Sequence, residues 1–151
     1  MSACAAELQT ALAELRELAR GIHPVVLTDH GLEAALPALA ARSPLPVELD
    51  LELDARLAPA DEAALYFVAA EALTNVAKYA NARSARVQLR ESDGWAQITI
   101  ADDGVGGASE SGGSGLRGLA DRLDALGGRI EVHSTAGEGT TIRARVPARR
   151  P

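Results

Sequence analysis

The sequence predicts a two-layer α/β sandwich. Its hydrophobic patterns follow the order helix, helix, strand, helix, strand, strand, helix, strand, strand, with clustered helices and mostly adjacent strands. That order is typical of helices packed on one side of a sheet rather than of a doubly wound parallel sheet. The chain has 151 residues, enough for one domain, and only 3% of them are aromatic, so the core must be built from Ala, Val, Leu and Ile.

Two helices should open the chain. Residues 4–21 place apolar side chains at steps of four and three, which is a short heptad seam: Leu8, Leu12, Leu15, Ala19 and Ile22. We expect a partner helix or the rest of the domain to bury this seam. Gly21 and Pro24 should end the helix. His23 directly precedes Pro24 and should therefore lie in a turn rather than in a catalytic site.

The second helix should begin after Asp29, a favourable cap residue, and run to about Arg42. Pro37 lies inside it and should kink or break it. Residues 47–53 then alternate strictly between apolar and polar side chains, which predicts the clearest strand in the chain.

A third helix should begin near Pro59, because Asp61 and Glu62 are favourable acids in a first turn, and should extend to residue 80. On a helical wheel of roughly 100° per residue, one apolar stripe should face the core. Its members are Leu65, Ala69, Ala72, Val76 and Ala80.

A polar edge lies on the same helix. Glu71, Asn75 and Lys78 gather there, and Tyr79 falls between this edge and the apolar stripe. Carboxylate and amide oxygens are ligands that Mg²⁺ prefers, and a lysine supplies a point charge suited to phosphate. Taken alone, such a triplet is more typical of a solvated face. Two glycine-rich segments later in the chain favour a binding site instead.

The second half of the chain supplies the remaining strands and one more helix. Strands are predicted at residues 83–90 and 95–101, joined by a turn at 92–94. A small-residue, flexible stretch at 108–114 leads into a helix at 115–126, which Gly127 and Gly128 should end. Strands at 129–133 and 141–146 complete the sheet.

Residues 113–118 satisfy the pattern G-x-G-x-x-G and precede a helix. A dinucleotide-binding fingerprint would follow a strand, whereas this segment follows a serine- and glycine-rich loop, so that interpretation is rejected. The glycines still let the backbone approach a ligand closely, and the helix start offers free N–H groups to an anion.

Asp102 ends a strand, and Gly104 and Gly106 follow it. A carboxylate in this position can accept a hydrogen bond from an exocyclic amine while the glycines make room for a ring. By itself the segment is equally typical of an ordinary Asp-Gly turn.

Taken together and in this order, E-x-x-x-N-x-x-K-Y, D-x-G-x-G, G-x-G-L-x-G and G-x-G-T resemble the ATP-binding domain of the gyrase, heat-shock chaperone, histidine kinase and MutL superfamily. Within it, the chain is most similar to sensor histidine kinases of the nitrate-sensor-like group. Residues 71–80 resemble their N box, 102–106 their G1 box and 113–118 their G2 box. The resemblance implies a Bergerat-type fold, a mixed sheet with helices on one face.

The resemblance also implies roles at an ATP site. Asp102 would accept the adenine amine, Asn75 would bind the Mg²⁺ that bridges the phosphates, and Lys78 would contact a phosphate. Glu71 would act beside the metal in the manner of a general base. The other nucleotide-binding residues would be Tyr79, Gly104, Gly106, Gly113, Gly115, Leu116, Gly118 and Thr140, with residues 107–114 as a mobile lid.

Two departures from the family pattern matter. Nitrate-sensor-like kinases usually carry His at position 79, where this chain has Tyr, as other histidine kinases do. No phosphoacceptor histidine with an adjacent acid is present, since His23 lies between Ile22 and Pro24. We therefore expect residues 1–24 to be the end of a dimerisation helix and its linker, and residues 25–151 to be the ATP-binding catalytic domain.

The resulting hypothesis is a domain that transfers the γ-phosphoryl of Mg-ATP to a histidine on dimerisation helices outside this chain, for onward transfer to a response regulator. A serine kinase acting on an anti-sigma antagonist fits the short chain, but fits the helical segment at 4–22 poorly. A non-catalytic nucleotide-binding regulator is disfavoured by the presence of Glu71, Asn75 and Asp102 together.

Composition excludes several other classes. The net charge of −6 argues against a nucleic-acid surface. Cys4 is alone, so no intramolecular disulfide or cysteine metal site is expected. The sequence has no apolar run of membrane-spanning length and no signal-peptide pattern, which predicts a cytoplasmic segment without membrane contact, whether or not it belongs to a longer membrane sensor.

Overall fold

The computed structural model describes residues 2–20, 24–107 and 114–151. The helices are α1 (Ser2–Arg20), α2 (Val25–His30), α3 (Leu32–Ala41), α4 (Pro59–Asn75) and α5 (Ser114–Ala125), and α4 continues as a π-helical segment (Val76–Ala80). The strands are β1 (Val47–Leu51), β2 (Ala85–Ser92), β3 (Trp95–Asp102), β4 (Arg129–Ser134) and β5 (Thr140–Pro147). The predictions for Gly21, Ile22, His23, Gly113 and most of the lid lie outside the described residues.

The five strands form one mixed sheet in the order β1-β2-β3-β5-β4. β1 pairs with β2 in parallel, and every other pairing is antiparallel. In β2, β3 and β5 the alternate residues on one face are buried, and α3, α4 and α5 pack on the sheet. The predicted two-layer sandwich with a mixed sheet is confirmed.

Helix α4 lies at the centre of the core. Leu65, Ala69 and Ala72 are almost fully buried, and Val76 and Ala80 continue the same contact, as the apolar stripe predicted. The helix changes to wider π turns after Asn75, which the wheel did not anticipate. The π turns end at Asn81, a non-glycine residue in the left-handed region with φ of 49°.

The boundaries of two strands differ from the sequence prediction. At these boundaries, backbone N–H groups donate to side-chain carboxylates instead of to a neighbouring strand. β1 ends at Leu51 because the N–H of Leu53 donates to Glu33 Oε1 at 2.5 Å. β2 begins at Ala85 rather than at residue 83, because the N–H groups of Arg83 and Ser84 both donate to Asp103 Oδ1. The Asp93-Gly94 turn, with φ of 54° and 79°, joins β2 and β3 as expected.

The region around residue 30 corrects the prediction for Asp29. Asp29 does not cap the second helix, because it lies inside α2, a short helix that the sequence analysis missed. Gly31, with φ of 89°, separates α2 from α3. Helix α3 runs through Pro37 without a break, and the proline is exposed.

The heptad seam of α1 is not covered by the described part of the domain. Leu8, Leu12 and Leu15 remain 63%, 45% and 60% exposed. Of the two expectations for this seam, burial against the domain is not met in the described residues, and burial against a partner helix stays a prediction. No helix in the described ranges is long and apolar enough to cross a membrane.

Candidate functional site

Three segments that are distant in sequence meet beside the end of the π-helical segment. The N–H of Val105 donates to the carbonyl of Ala80 at 2.7 Å, and the N–H of Gly137 donates to the carbonyl of Val105 at 2.6 Å. The loop after β3 is therefore held between the end of the predicted N box and the turn that joins β4 to β5. This junction brings three of the four sequence motifs together.

The glycines of the junction are required by close backbone approach. A Cβ on Gly104 would lie 2.1 Å from the carbonyl oxygen of Ala80, and one on Gly106 would lie 2.0 Å from that of Thr135. A Cβ on Gly139 would lie 2.1 Å from the carbonyl oxygen of Asp102. Because all three obstacles are backbone atoms, they cannot move aside as a side-chain end would, and any larger residue must shift the loop.

Asp102 and Asp103 are adjacent but have separate roles. Asp103 is exposed and accepts hydrogen bonds from the N–H groups of Ser84, at 3.1 Å, and Arg83, at 2.8 Å. These bonds, that from Ser84 first, hold the pKa of Asp103 below its ordinary value of 3.8. Asp103 therefore fastens the start of β2 to the end of β3.

Asp102 is half-buried, and its Oδ1 accepts the N–H of Gly104 at 2.8 Å. Within the described ranges its Oδ2 has no hydrogen-bond partner. One oxygen thus orients the carboxylate, and the other is left as an acceptor. Asp102 therefore keeps one carboxylate oxygen, Oδ2, as an acceptor beside the junction.

Thr140 lies directly opposite Asp102 in the pairing of β3 with β5. Its hydroxyl is 2.7 Å from that of Ser134 on β4. The last glycine-rich turn therefore places a second polar side chain next to Asp102.

The polar edge of α4 is only partly reproduced. Glu71 and Asn75 are half-buried and lie one helical turn apart in the last turns of α4. Lys78 and Tyr79 fall in the π-helical segment, where both are exposed, Tyr79 by 73%. Because π turns are wider than the α turns that the wheel assumes, the placement of Lys78 and Tyr79 relative to Glu71 and Asn75 stays a prediction.

The start of α5 carries the described part of the predicted G2 box. Gly115 and Leu116 are buried, and the Leu116 side chain joins the core, so a contact of these residues with a ligand would use their backbone N–H groups. Gly118 is exposed, and a Cβ there would meet no atom within 4 Å. No close approach within the described residues explains this third glycine of the motif.

No group of three or more His, Cys, Asp or Glu side chains in the described ranges is arranged to hold a metal. A magnesium site here would therefore need ligand oxygens in addition to those of Asn75 and Glu71. Magnesium bound through one or two protein oxygens, with phosphates and water completing the shell, fits this donor set.

Sequence reasoning missed the buried acids at the start of α4. Asp61 and Glu62 are each only 1% exposed, which the sequence analysis, naming them as favourable first-turn acids, did not anticipate. Arg149 binds both carboxylate oxygens of Asp61, at 3.0 and 3.2 Å, and Arg56 Nε binds Glu62 Oε1 at 2.8 Å. The signal available in the sequence was Arg149, near the end of the chain. The backbone carbonyl of Arg149 also accepts the N–H of Ala58 at 2.7 Å.

Comparison with known proteins agrees with this geometry. Residues 60–150 match the family described as histidine kinase-, DNA gyrase B-, and HSP90-like ATPase. The chain is 35% identical to the sensor histidine kinase MctS of Rhizobium johnstonii over 95% of its own length, which is 34% of that protein. It is 33% identical to the nitrate/nitrite sensor protein NarX of Escherichia coli over 90% of its length, which is 24% of that protein.

The chain thus spans about a third or less of these two curated relatives. Among solved structures, the blue-light activated histidine kinase of Erythrobacter litoralis EL346 aligns with a TM-score of 0.66 and 20% identity, covering 78% of this chain and 42% of that one. This likeness confirms the fold. The likeness to nitrate-sensor-like relatives inferred from the motifs is confirmed as well.

Proposed function

We propose that this chain binds Mg-ATP, because it belongs to the histidine kinase-, DNA gyrase B- and HSP90-like ATPase family. The binding site would lie at the junction of the π-helical segment, the loop after β3 and the β4–β5 turn. The observation that carries the proposal is the pair of hydrogen bonds from Val105 to Ala80 and from Gly137 to Val105. They support one site built from motifs far apart in the sequence.

Adenine would lie against Gly104 and Gly106, with its amine donating to Asp102 Oδ2, the oxygen that the bond to Gly104 leaves available. Thr140, paired opposite Asp102, would contact the same ring. The steric limits at Gly104, Gly106 and Gly139 support this arrangement, since they keep the backbone close-packed beside the acceptor.

The phosphates would lie toward the end of α4 and the start of α5. The backbone N–H groups of Gly115 and Leu116, at the start of a helix, favour an anion. Asn75 would bind the Mg²⁺, which neutralises phosphate charge when bound. Lys78 and Tyr79, both exposed, are free to move toward the nucleotide, and Gly113 and Gly118 complete the proposed phosphate loop.

The reaction we propose is transfer of the γ-phosphoryl group to a histidine on dimerisation helices, followed by onward transfer to a response regulator. Such transfer depends on positioning and charge stabilisation more than on covalent chemistry by the protein. Glu71, one turn before Asn75, would accept the proton of the attacking group. The ATP requirement and the acceptor chain both fit a cytoplasmic location.

The domain organisation we propose follows from the same family. Residues 1–24 would be the end of a dimerisation helix and its linker, and 25–151 the catalytic domain. The exposed leucines of α1 support this division, because a dimerisation helix would bury them against its partner.

Incubation of the chain with γ-labelled ATP and a separate phosphoacceptor-helix fragment tests the proposal. We expect acid-labile label on the fragment's histidine, none on the chain alone, and none with Glu71→Gln. Acid-stable label on a serine of an anti-sigma antagonist would identify the serine kinase instead. ATP binding without transfer to either acceptor would identify a non-catalytic regulator.

A further inference from the structure

One face of the sheet carries no helix in the described part of the chain, and four of its side chains form what we call the arginine patch: Trp95, Arg129, Arg143 and Arg145. They lie on the face opposite the buried residues Ala96, Ala144 and Val146. Trp95 begins β3 and Asp102 ends it, so the patch lies at the far end of that strand from the proposed nucleotide site.

The patch places like charges together. Arg129 and Arg145 are direct partners in the pairing of β4 with β5. Like charges opposite each other across two strands destabilise a sheet. Glu131, the direct partner of Arg143, lies 3.7 Å from His133 and makes no ion pair with Arg143. The two facing guanidinium groups therefore repel each other, and no carboxylate within the described chain offsets that repulsion.

Several other arginines of the domain have acidic partners, although Arg42, Arg83 and Arg122 have none in the described ranges. Arg56 binds Glu62, Arg90 binds Asp50, and Arg149 binds Asp61. By contrast, Arg129, Arg143 and Arg145 have no carboxylate at ion-pair distance among residues 2–20, 24–107 and 114–151. The Nε of Arg143 is buried and has no hydrogen-bond partner there. Unsatisfied buried donors are rare in folded proteins, and each one calls for an explanation.

The guanidinium of Arg145 lies over the ring of Trp95, 4.6 Å from its centre. This cation–π contact limits the rotation of a long side chain, so less entropy is lost when the guanidinium binds an acid. Tryptophan and arginine are also the residue types most enriched at the energetic centres of protein interfaces.

Charge distribution selects the kind of partner. Guanidinium groups bind carboxylates and phosphates in paired hydrogen bonds. On the same face, however, β1 presents Glu48, Asp50 and Glu52, and the chain as a whole has a net charge of −6. A long polyanion crossing the sheet would meet that acidic edge, whereas a short acidic segment would not.

We propose that the arginine patch is a docking surface for a short acidic segment of a partner protein. Carboxylates of that segment would satisfy Arg129, Arg143 and Arg145, and an apolar neighbour would pack on the exposed part of Trp95. The proposal does not depend on the nucleotide site, since the patch shares none of its residues.

Trp95 is the only tryptophan of the chain, so its fluorescence reports directly on the patch. We expect a hexaglutamate peptide to change this emission saturably at low salt, with an affinity that falls as salt is added. Arg129→Gln should weaken the affinity about tenfold. Arg86→Gln, on the same face but among the acids of β1, is the matched control and should leave it unchanged.

Arg145→Gln provides a second variant. It is compared with wild type by the midpoint of the titration, because loss of the contact with the Trp95 ring changes the tryptophan emission before any peptide is added. Thermal melting of each variant separates weaker binding from unfolding. Equal midpoints for wild type and both patch variants would overturn the proposal. Tighter binding of a single-stranded oligonucleotide through the same arginines would also overturn it. An emission change that depends only on the protein's own concentration would overturn it as well, because the occupant would then be a second copy of the chain.

Discussion

Gly104 lies directly against Ala80, so that a Cβ on the glycine would be 2.1 Å from the alanine carbonyl oxygen. The next residue, Val105, donates its N–H to that same oxygen at 2.7 Å. One carbonyl at the end of the π-helical segment therefore fixes the loop that carries the proposed adenine acceptor.

Gly104→Ala should destabilise the domain and weaken ATP binding. The added methyl group meets a backbone atom, and overpacking of this kind costs about 1–3 kcal/mol of unfolding free energy. Thermal melting and ATP titration measure both effects. Gly118→Ala is the matched control for the melting experiment alone, because its Cβ meets nothing within 4 Å and should stabilise the fold by about 0.5–1 kcal/mol. Unchanged melting and ATP affinity of Gly104→Ala would show that the loop is not fixed by this contact.

Asp102→Asn should lower ATP affinity about tenfold or more, because an amide can present its NH₂ group where adenine needs an acceptor. Affinity for inorganic tripolyphosphate should stay the same, since Asp102 would contact only the base. Competition calorimetry with both ligands measures the difference. If ATP binds the variant as tightly as it binds wild type, Asp102 is not the adenine acceptor.

The sequence predicted most of the fold and left two kinds of detail open. Strict alternation in β1 and the apolar stripe of α4 fixed those elements, because burial dominates their patterns. The role of Asp103 could not be read from the sequence, since its hydrogen bonds to Arg83 and Ser84 depend on tertiary approach. Likewise, the burial of Asp61 follows from a tail residue 88 positions away.

Within the candidate site, the π-helical segment is a further feature that the sequence did not predict. The wheel assumed α-helical turns throughout, and no local pattern in the sequence indicates the wider turns that carry Lys78 and Tyr79. The junction of Ala80, Val105 and Gly137 was implied by motif order, but its hydrogen bonds are visible only in the folded chain.

Asp103 should contribute pH-dependent stability. Its folded-state pKa is held below 3.8 by the N–H groups of Ser84 and Arg83, so its stabilisation is complete above that value and is lost as the pH falls through the lower folded pKa. Denaturant unfolding should show that the free energy of unfolding falls less between pH 7 and about pH 3 in Asp103→Asn than in wild type. The control is Asp121→Asn, which changes an exposed acid on α5. If Asp103→Asn loses as much unfolding free energy as wild type between the two pH values, Asp103 does not contribute pH-dependent stability.

Arg149→Ala should lower the melting temperature by several degrees, because it leaves the buried carboxylate of Asp61 without its partner. Arg129→Ala removes the same charge from a residue without an ion pair in the described ranges and should change the melting temperature little. Differential scanning fluorimetry compares the two. Similar melting of both variants would mean that the Asp61–Arg149 pair does not anchor the tail.

The most direct test of the account is calorimetric titration of the chain with ATP, with and without Mg²⁺, for wild type and Asn75→Ala. We predict a single site of micromolar-range affinity in wild type, strengthened by Mg²⁺, and an affinity in Asn75→Ala that no longer responds to the metal. No heat and no thermal shift with Mg-ATP in wild type would contradict the account.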